Sequence, residues 1–329
     1  MRESVYMSLL EVKNLKTYFF TPFGAVKAVD DISFTLKRGI ALGLAGESGC
    51  GKTTTAYSIM NLVPLPGRIV SGEIIFNGED VIKFDRERLR RLRWKEISMV
   101  FQGAMASLNP LYKIGDQIAE SIIYHEDTKR KEAMERAGEL LELVGIEKER
   151  VENYPWEMSG GMRQRAMIAM ALACYPNLLI ADEPTTALDV IVSAQVMDLI
   201  KDLRKQLDLS MLLITHDISV IAQTCDELAI MYAGKLVEKT DVPTIFESPL
   251  HPYSHALIKA FPTIKGERQK LEGIAGNPSD LIDPPPGCRF APRCPFAKDR
   301  CSQEEPLLEK VVKEHFVACH YWEDIQETR

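Results

Sequence analysis

No stretch of this 329-residue sequence is apolar for long enough to cross a bilayer, which takes about 20 consecutive residues. The nearest approach, Ala166 to Ala173, is short and runs into Cys174-Tyr175-Pro176-Asn177. The first residues lack the basic-then-apolar pattern of a secretion signal, so the chain is expected to stay in the cytosol. Any membrane-spanning part must then come from other chains. A surplus of positive charge is also missing: the net charge is -7, whereas a partner for nucleic-acid phosphates needs a basic surface. The one basic run, Arg86-Glu87-Arg88-Leu89-Arg90-Arg91-Leu92-Arg93, interleaves leucines and reads as a solvated helix face. Tight Cys-x2-Cys pairs are absent although there are seven cysteines, and in a cytosolic chain these are not read as disulfides. Cys50, Cys174 and Cys225 are scattered, while four cysteines crowd into the last 42 residues.

What remains is ordinary globular material, 46% hydrophobic and 26% charged, long enough for one large domain and an appendage. Leu9 to Leu15 has the mixed character of an edge strand, and Ile32 to Leu36 alternates cleanly. Ile40 to Ala45 is a short apolar run leading into a glycine-rich loop and then a helix from about Lys52. Ser71 to Gly78 reads as a strand ending in an Asn-Gly turn, and Ile97 to Phe101 as another strand. From about 103 to 173 the pattern is helical, most regularly at Lys129 to Val144. Strands return at Leu178–Ile180, Met211–Ile214 and Leu228–Met231 with helices between them. Such alternation predicts an α/β fold with a largely parallel sheet covered on both faces, into which the helical stretch is inserted. Pro262 and the polar stretch Lys265 to Lys270 suggest a boundary, giving a main domain over 1–264 and a loop-rich, cysteine-rich tail over 265–329.

Gly46-Glu47-Ser48-Gly49-Cys50-Gly51-Lys52-Thr53 fits the phosphate-loop pattern G-x-x-x-x-G-K-[ST] and lies between a strand and a helix, as that motif requires. Its glycines let successive backbone N–H groups curl around phosphates, and the helix N-terminus adds positive potential. Lys52 is expected to reach the β- and γ-phosphates of ATP, the Thr53 hydroxyl to bind Mg²⁺, and Thr54 to follow on the same helix turn. A chance glycine-rich turn is the plainer reading, which the flanking strand and helix disfavour; Cys50 is taken as a small space-filler. Leu178-Leu179-Ile180-Ala181-Asp182-Glu183 is an apolar strand ending in two acids, a costly arrangement unless something pairs with them. A metal and a water supply the reason: Asp182 for the Mg²⁺ shell, Glu183 to polarise the attacking water.

Ser159-Gly160-Gly161-Met162-Arg163-Gln164-Arg165 opens a helix and forms a second anion-binding start, although a simple cap is the bland alternative for Ser159. The segment resembles the signature of the ABC ATPases, which faces the ATP held by a partner subunit. On that resemblance Gln102 is the Q-loop glutamine at Mg²⁺ and water, Thr186-Ala187-Leu188-Asp189 the D-loop, and His216 the switch histidine at the γ-phosphate. Tyr18, Phe19 and Phe23 compete as the aromatic platform for adenine, and counting from Asn14 favours Phe19. The likeness narrows to the oligopeptide/dipeptide (and nickel) importers through Met99-Val100-Phe101-Gln102, Met105 to Pro110, His251-Pro252-Tyr253-Ser254-His255-Ala256-Leu257 and the cysteine-rich tail. Three departures are visible: Met158 for Leu in the signature, Thr186 for Ser in the D-loop, and Gly103-Ala104 for Asp-Pro after Gln102.

The resemblance implies an ABC-type P-loop core, RecA-like with added antiparallel strands. It further implies an ATP-driven clamp of two such subunits, the second a copy or a paralogue, at the cytoplasmic face of the cell membrane. Two transmembrane permease subunits would carry the substrate, a di- or oligopeptide delivered by an external binding protein; nickel or another small solute is the alternative. A soluble ABC ATPase of DNA repair or translation would be expected to carry a long coiled coil or a second ATPase domain, and neither is present. An iron–sulfur electron carrier with vestigial motifs would need damaged catalytic residues, and Glu183 and His216 are intact.

Cys288, Cys294, Cys301 and Cys319 sit in a proline-rich, core-poor segment that a metal centre could organise. Without Cys-x2-Cys pairs, four thiolates suit a [4Fe–4S] cluster, and the family likeness leans the same way. Zinc, with His315 or His320 substituting as ligand, and unligated thiols are the other readings.

Overall fold

The structure, a computed structural model, describes residues 8–103, 107–186, 188–260 and 274–327. Pro262 and Lys265–Lys270, where the sequence suggests a boundary, lie outside the described residues. In chain order the N-terminal elements are β1 (Ser8–Thr21), β2 (Gly24–Lys37), β3 (Ala41–Ala45), α1 (Lys52–Ile59), β4 (Gly67–Phe76) and β5 (Glu79–Asp80). The middle holds α2 (Arg86–Leu92), β6 (Ile97–Val100), α3 (Ile114–Glu126), α4 (Arg130–Leu143), α5 (Gly160–Ala171), β7 (Leu178–Asp182), α6 (Val190–Gln206) and β8 (Ser210–Ile214). Then follow α7 (Ile218–Thr224), β9 (Glu227–Tyr232), β10 (Lys235–Asp241), α8 (Val242–Glu247) and α9 (Pro252–Lys259). The C-terminal segment adds α10 (Asp299–Gln303), β11 (Glu309–Val312), β12 (His315–Val317) and α11 (Trp322–Glu327).

The chain divides into two compact units. The first combines the N-terminal strands with residues 214–329, so the described part of the C-terminal segment belongs to the same unit as β3. In it β1 pairs antiparallel with β2 and β4, and β4 with β5 across the Asn77-Gly78 turn. A second set runs β3, β9, β10, β12, β11: β3 lies parallel to β9, with Gly43 opposite Leu228, and the later pairings are antiparallel. β3 is buried along its whole length, as a strand covered on both faces must be.

The second unit comprises 38–40 and 83–213. Its β6 is parallel to β7, with Met99 opposite Ile180, and β8 lies beside β7. The helices α3 and α4 bury Ile118, Ile122, Ala133, Ala137, Leu140 and Leu141, an apolar stripe at helical spacing. The basic run forms α2 as a solvated helix face, with Leu92 as its buried residue and Arg90 paired to Glu87. No described helix is long and apolar enough to cross a membrane.

Candidate active site

In the first unit, the loop from Gly46 to Lys52 joins buried β3 to α1. Gly46 adopts φ 150° and Gly51 φ 108°. A Cβ on Gly46 would stand 2.1 Å from the Met231 carbonyl oxygen, and one on Gly51 2.0 Å from that of Ala28. No side chain fits at either place, so these two glycines are dictated by close backbone approach as well as by φ. Lys52 is buried, and its Nζ donates to the carbonyl oxygens of Gly46 (2.7 Å) and Glu47 (3.0 Å). Cys50 is packed behind the loop, and burial pushes its thiol pKa up. Ser48 and Gly49 are exposed, while Thr53 and Thr54 are half-buried on the first turn of α1. A glycine-rich loop leading into a helix start is the kind of backbone that can bind phosphate.

Two contacts brace the back of this loop. The Glu47 N–H donates to Tyr253 Oη at 2.9 Å, and the Glu47 carboxylate takes two hydrogen bonds from Arg293, at 2.7 and 2.9 Å. Sequence reasoning passed over both residues: Tyr253 served there as a family marker, and Arg293 carried no signal beside its cysteine neighbour. His216 stands exposed at the end of β8, followed by Asp217, whose side chain caps α7. Of the adenine candidates, Phe19 lies half-buried against Gly67, where a Cβ would come within 2.7 Å of its ring. Tyr18 is tied by its hydroxyl to Asp30 at 2.6 Å, and Phe23 is 88% exposed in the β1–β2 turn.

In the second unit, β7 carries Asp182 fully buried at its end, with Glu183 immediately after it. Glu183 has φ 45°, a left-handed conformation that costs a non-glycine residue about 1–2 kcal/mol. Strain of this kind concentrates where a side chain must be aimed. Its Oε2 accepts from Gln102 Nε2 at 2.9 Å and from Thr186 Oγ1 at 3.0 Å. Gln102, Glu183 and Thr186 are thus one polar cluster at a strand end, and threonine in place of serine at 186 still supplies the hydroxyl. Ala104, quoted after the Q-loop Gln102, and Ala187, quoted from the D-loop, lie outside the described residues.

Ser159 caps α5, its Oγ accepting from the Met162 N–H at 3.3 Å. Gly160 opens that helix, and at Gly161 a Cβ would come within 2.7 Å of Val192 on α6. Met158, a departure from the usual leucine, is buried. Asp189 caps α6 through the N–H groups of Ile191 and Val192, beside the exposed side chains of Val190 and Ile191.

The four C-terminal cysteines come together in the first unit. Cys288, Cys294, Cys301 and Cys319 line one small cavity closed by Phe290, Phe296, Tyr321 and Ile325. No disulfide links them. Burial in these apolar surroundings raises the thiol of Cys288, that of Cys294 to about 11 and that of Cys319 to about 12; neighbouring thiols add to all three. Among the described residues no three His, Cys, Asp or Glu side chains form a group that could hold a metal ion. His315, weighed as a zinc ligand, is instead buried against Glu238 at 2.7 Å, and His320 Nε2 pairs with the Glu304 carbonyl at 2.9 Å.

Comparison with known proteins brings these observations together. The ABC transporter family model matches residues 29–186, and the model of the oligopeptide/dipeptide transporter C-terminal region matches 237–301. The oligopeptide transport ATP-binding protein AppD of Bacillus subtilis (strain 168) is 47% identical over 320 residues, 96% of this chain and 98% of the relative. OppD of Escherichia coli (strain K12), another oligopeptide transport ATP-binding protein, is 45% identical, covering 92% and 90%. The dipeptide transport ATP-binding protein DppD of the same organism is 42% identical, covering 96% and 97%. Among solved structures, the dimeric ATP-binding cassette MJ0796 bound to ADP and Pi superposes with TM-score 0.64 at 26% identity, over 71% of this chain and 98% of that one. On these relatives and family models, and with an ATP-binding cassette fold, this ATPase belongs to the ATP-binding subunits of the oligopeptide/dipeptide ABC transporter family.

Proposed function

We propose that this chain hydrolyses ATP to drive the uptake of di- or oligopeptides, as one of two cassettes seated on two transmembrane permease subunits at the cytoplasmic face of the membrane. The observation that carries the hydrolytic reading is the Gln102–Glu183–Thr186 cluster, a strained and hydrogen-bonded carboxylate following the buried Asp182. Gly46, Glu47, Ser48, Gly49, Cys50, Gly51, Lys52, Thr53 and Thr54 supply the phosphate cradle, and Phe19 the face for adenine. Asp182, Thr53 and Gln102 would hold Mg²⁺, which neutralises charge on the β- and γ-oxygens when bound. Glu183 takes the proton of the attacking water as that oxygen bonds to the γ-phosphorus, and the bond to the ADP oxygen breaks. His216 steadies the γ-phosphate. Ser159, Gly160, Gly161 and Met162 offer the cap hydroxyl and helix-start N–H groups to the ATP of the second cassette, a copy or a paralogue, with Asp189 alongside.

Large exposed apolar side chains on the helical insertion, among them Leu111, Tyr112 and Trp156, support docking to permease subunits. The relatives' names support peptide as the cargo, delivered by an external binding protein. Proteoliposomes of the co-purified complex, with ATP on the cassette side, test this. ATP-dependent accumulation of labelled peptide that Glu183→Gln abolishes is the expected result; accumulation of Ni²⁺ without peptide would move the cargo to the alternative.

For the tail, we infer a [4Fe–4S] cluster held by Cys288, Cys294, Cys301 and Cys319, in preference to zinc, although these side chains do not form a metal-holding group in this structure. Support comes from four thiols around one apolar cavity and from the engagement of His315 by Glu238. Such a group would tie four separated points of a short segment together. Anaerobically purified protein is expected to be brown, with iron and sulfide near about four per chain. Colourless protein with about one zinc per chain would reverse the choice.

A further inference from the structure

The loop between Cys288 and Cys294 reaches the phosphate loop through one side chain. Arg293 is 4% exposed, and every guanidinium N–H has an acceptor. Nε donates to the Ala275 carbonyl (2.9 Å), Nη1 to Glu47 (2.7 Å) and the Tyr232 hydroxyl (3.3 Å), and Nη2 to Glu47 (2.9 Å) and the Ile274 carbonyl (3.0 Å). Such a socket selects arginine. A lysine has three donors and no planar fork, so it could not satisfy both carboxylate oxygens and three further acceptors. The guanidinium also stands 5.7 Å from the centre of the Tyr232 ring and 6.0 Å from that of Phe290.

A second arginine secures the floor beneath the same loop. Arg289, also 4% exposed, pairs with Asp30 and with the Ala233 carbonyl. Asp30 lies two residues beyond Ala28, whose carbonyl oxygen is the atom that allows only glycine at Gly51. The two arginines therefore fix the side of the loop away from the open cradle, one at Glu47 and one at the strand that Gly51 touches.

We infer that Arg293 is a positioning residue for ATP binding. By clamping the Glu47 carboxylate it holds the backbone of Glu47, whose N–H is pinned to Tyr253 and whose carbonyl receives Lys52. The loop N–H groups then stay turned toward the phosphates before nucleotide arrives. Preorganisation of this kind lowers the ordering cost of binding. The inference rests on the assignment of residues 46–53 as the phosphate loop. It assigns the C-terminal segment a direct part in nucleotide affinity.

A double-mutant cycle on the full chain tests it, with the ATP dissociation constant measured by calorimetry for wild type, Glu47→Gln, Arg293→Lys and the double variant. Loss of a charge-assisted bidentate pair is expected to weaken ATP binding by about tenfold in each single variant. Because both act through one contact, the double variant is expected to show the same tenfold loss and not a hundredfold one. For Arg293→Lys, hydrolysis at saturating ATP should change far less than the KM. Arg293→Ala that binds ATP as tightly as wild type, or losses that multiply in the double variant, overturns the inference. Lys52→Ala separates the underlying assignment: if that variant binds ATP normally, the loop is not the phosphate site and the inference falls with it.

Discussion

Glu183→Gln removes a charge and almost nothing else, which makes it the sharpest perturbation available. Glu183 Oε2 accepts hydrogen bonds from Gln102 at 2.9 Å and Thr186 at 3.0 Å, and a glutamine oxygen in that position can accept both. Converting two charge-assisted bonds to neutral ones weakens each by about 1 kcal/mol at most, and less where water reaches the pair. The backbone strain at φ 45° is common to glutamate and glutamine, so it cancels. The fold should therefore melt within a few degrees of wild type. Loss of a general base, by contrast, costs about 10²–10⁴-fold in rate, which is about 3–5 kcal/mol of barrier. The catalytic effect exceeds the structural one, and the two are measured separately. Phosphate release under multiple turnover, from protein free of contaminating ATPase, should fall by at least about a hundredfold, while ATP binding persists. Turnover near the wild-type rate would refute the role given to Glu183.

Ser159→Arg places bulk and charge at the capped start of α5; sedimentation with ATP in the Glu183→Gln background should show pairing of cassettes that this substitution abolishes. Full hydrolysis by a strict monomer would overturn the shared-site reading. Gly51→Ala drives a Cβ to 2.0 Å from a backbone oxygen and should destabilise the fold strongly in urea titrations, whereas Gly49→Asn, at φ 79° with open space around it, should be tolerated. Equal midpoints for the two would contradict the packing argument. Burial and the nearby Glu126 push the Cys174 thiol up to about 11, two units above its ordinary 9.0, so the thiolate is scarce. Its alkylation by iodoacetamide at pH 8 should run roughly a hundredfold slower in the folded chain than in urea, and equal rates would show the site to be open.

What the sequence made legible was chemistry written in consecutive residues. The phosphate loop, the acids at 182 and 183, and the helix start at Ser159 each occupy one short stretch, and each lies where its pattern says. The strands of the first sheet were only half visible: Leu9–Leu15 reads as a mixed edge strand and Ile32–Leu36 alternates, but β1 and β2 extend to Thr21 and back to Gly24, and β1 is paired on both sides. Register shifts and the left-handed residues Asn14 and Asp31 interrupt the alternation there. The β11–β12 hairpin was missed because its strands are four and three residues long in a polar segment, and pairing with β10 supplies what local pattern lacks. Arg293 was invisible for a related reason. A long-range ion pair leaves no periodicity, and an arginine beside a cysteine in a proline-rich loop looks like any solvated cation until Glu47 is found against it.

The distance along the chain between those two residues also has a bearing on biosynthesis. Glu47 and Arg293 are 246 positions apart. At roughly 5–20 residues per second, a ribosome completes the phosphate loop some 12–50 seconds before it reaches the arginine that clamps it. Throughout that interval the nascent chain carries a nucleotide loop with its rear support unmade, surrounded by cytosolic ATP. A polypeptide released early, anywhere between His216 and Arg293, would contain every residue of the hydrolytic motifs and still lack the brace. Synthesis as far as Arg293 is thus needed before the brace at Glu47 can form.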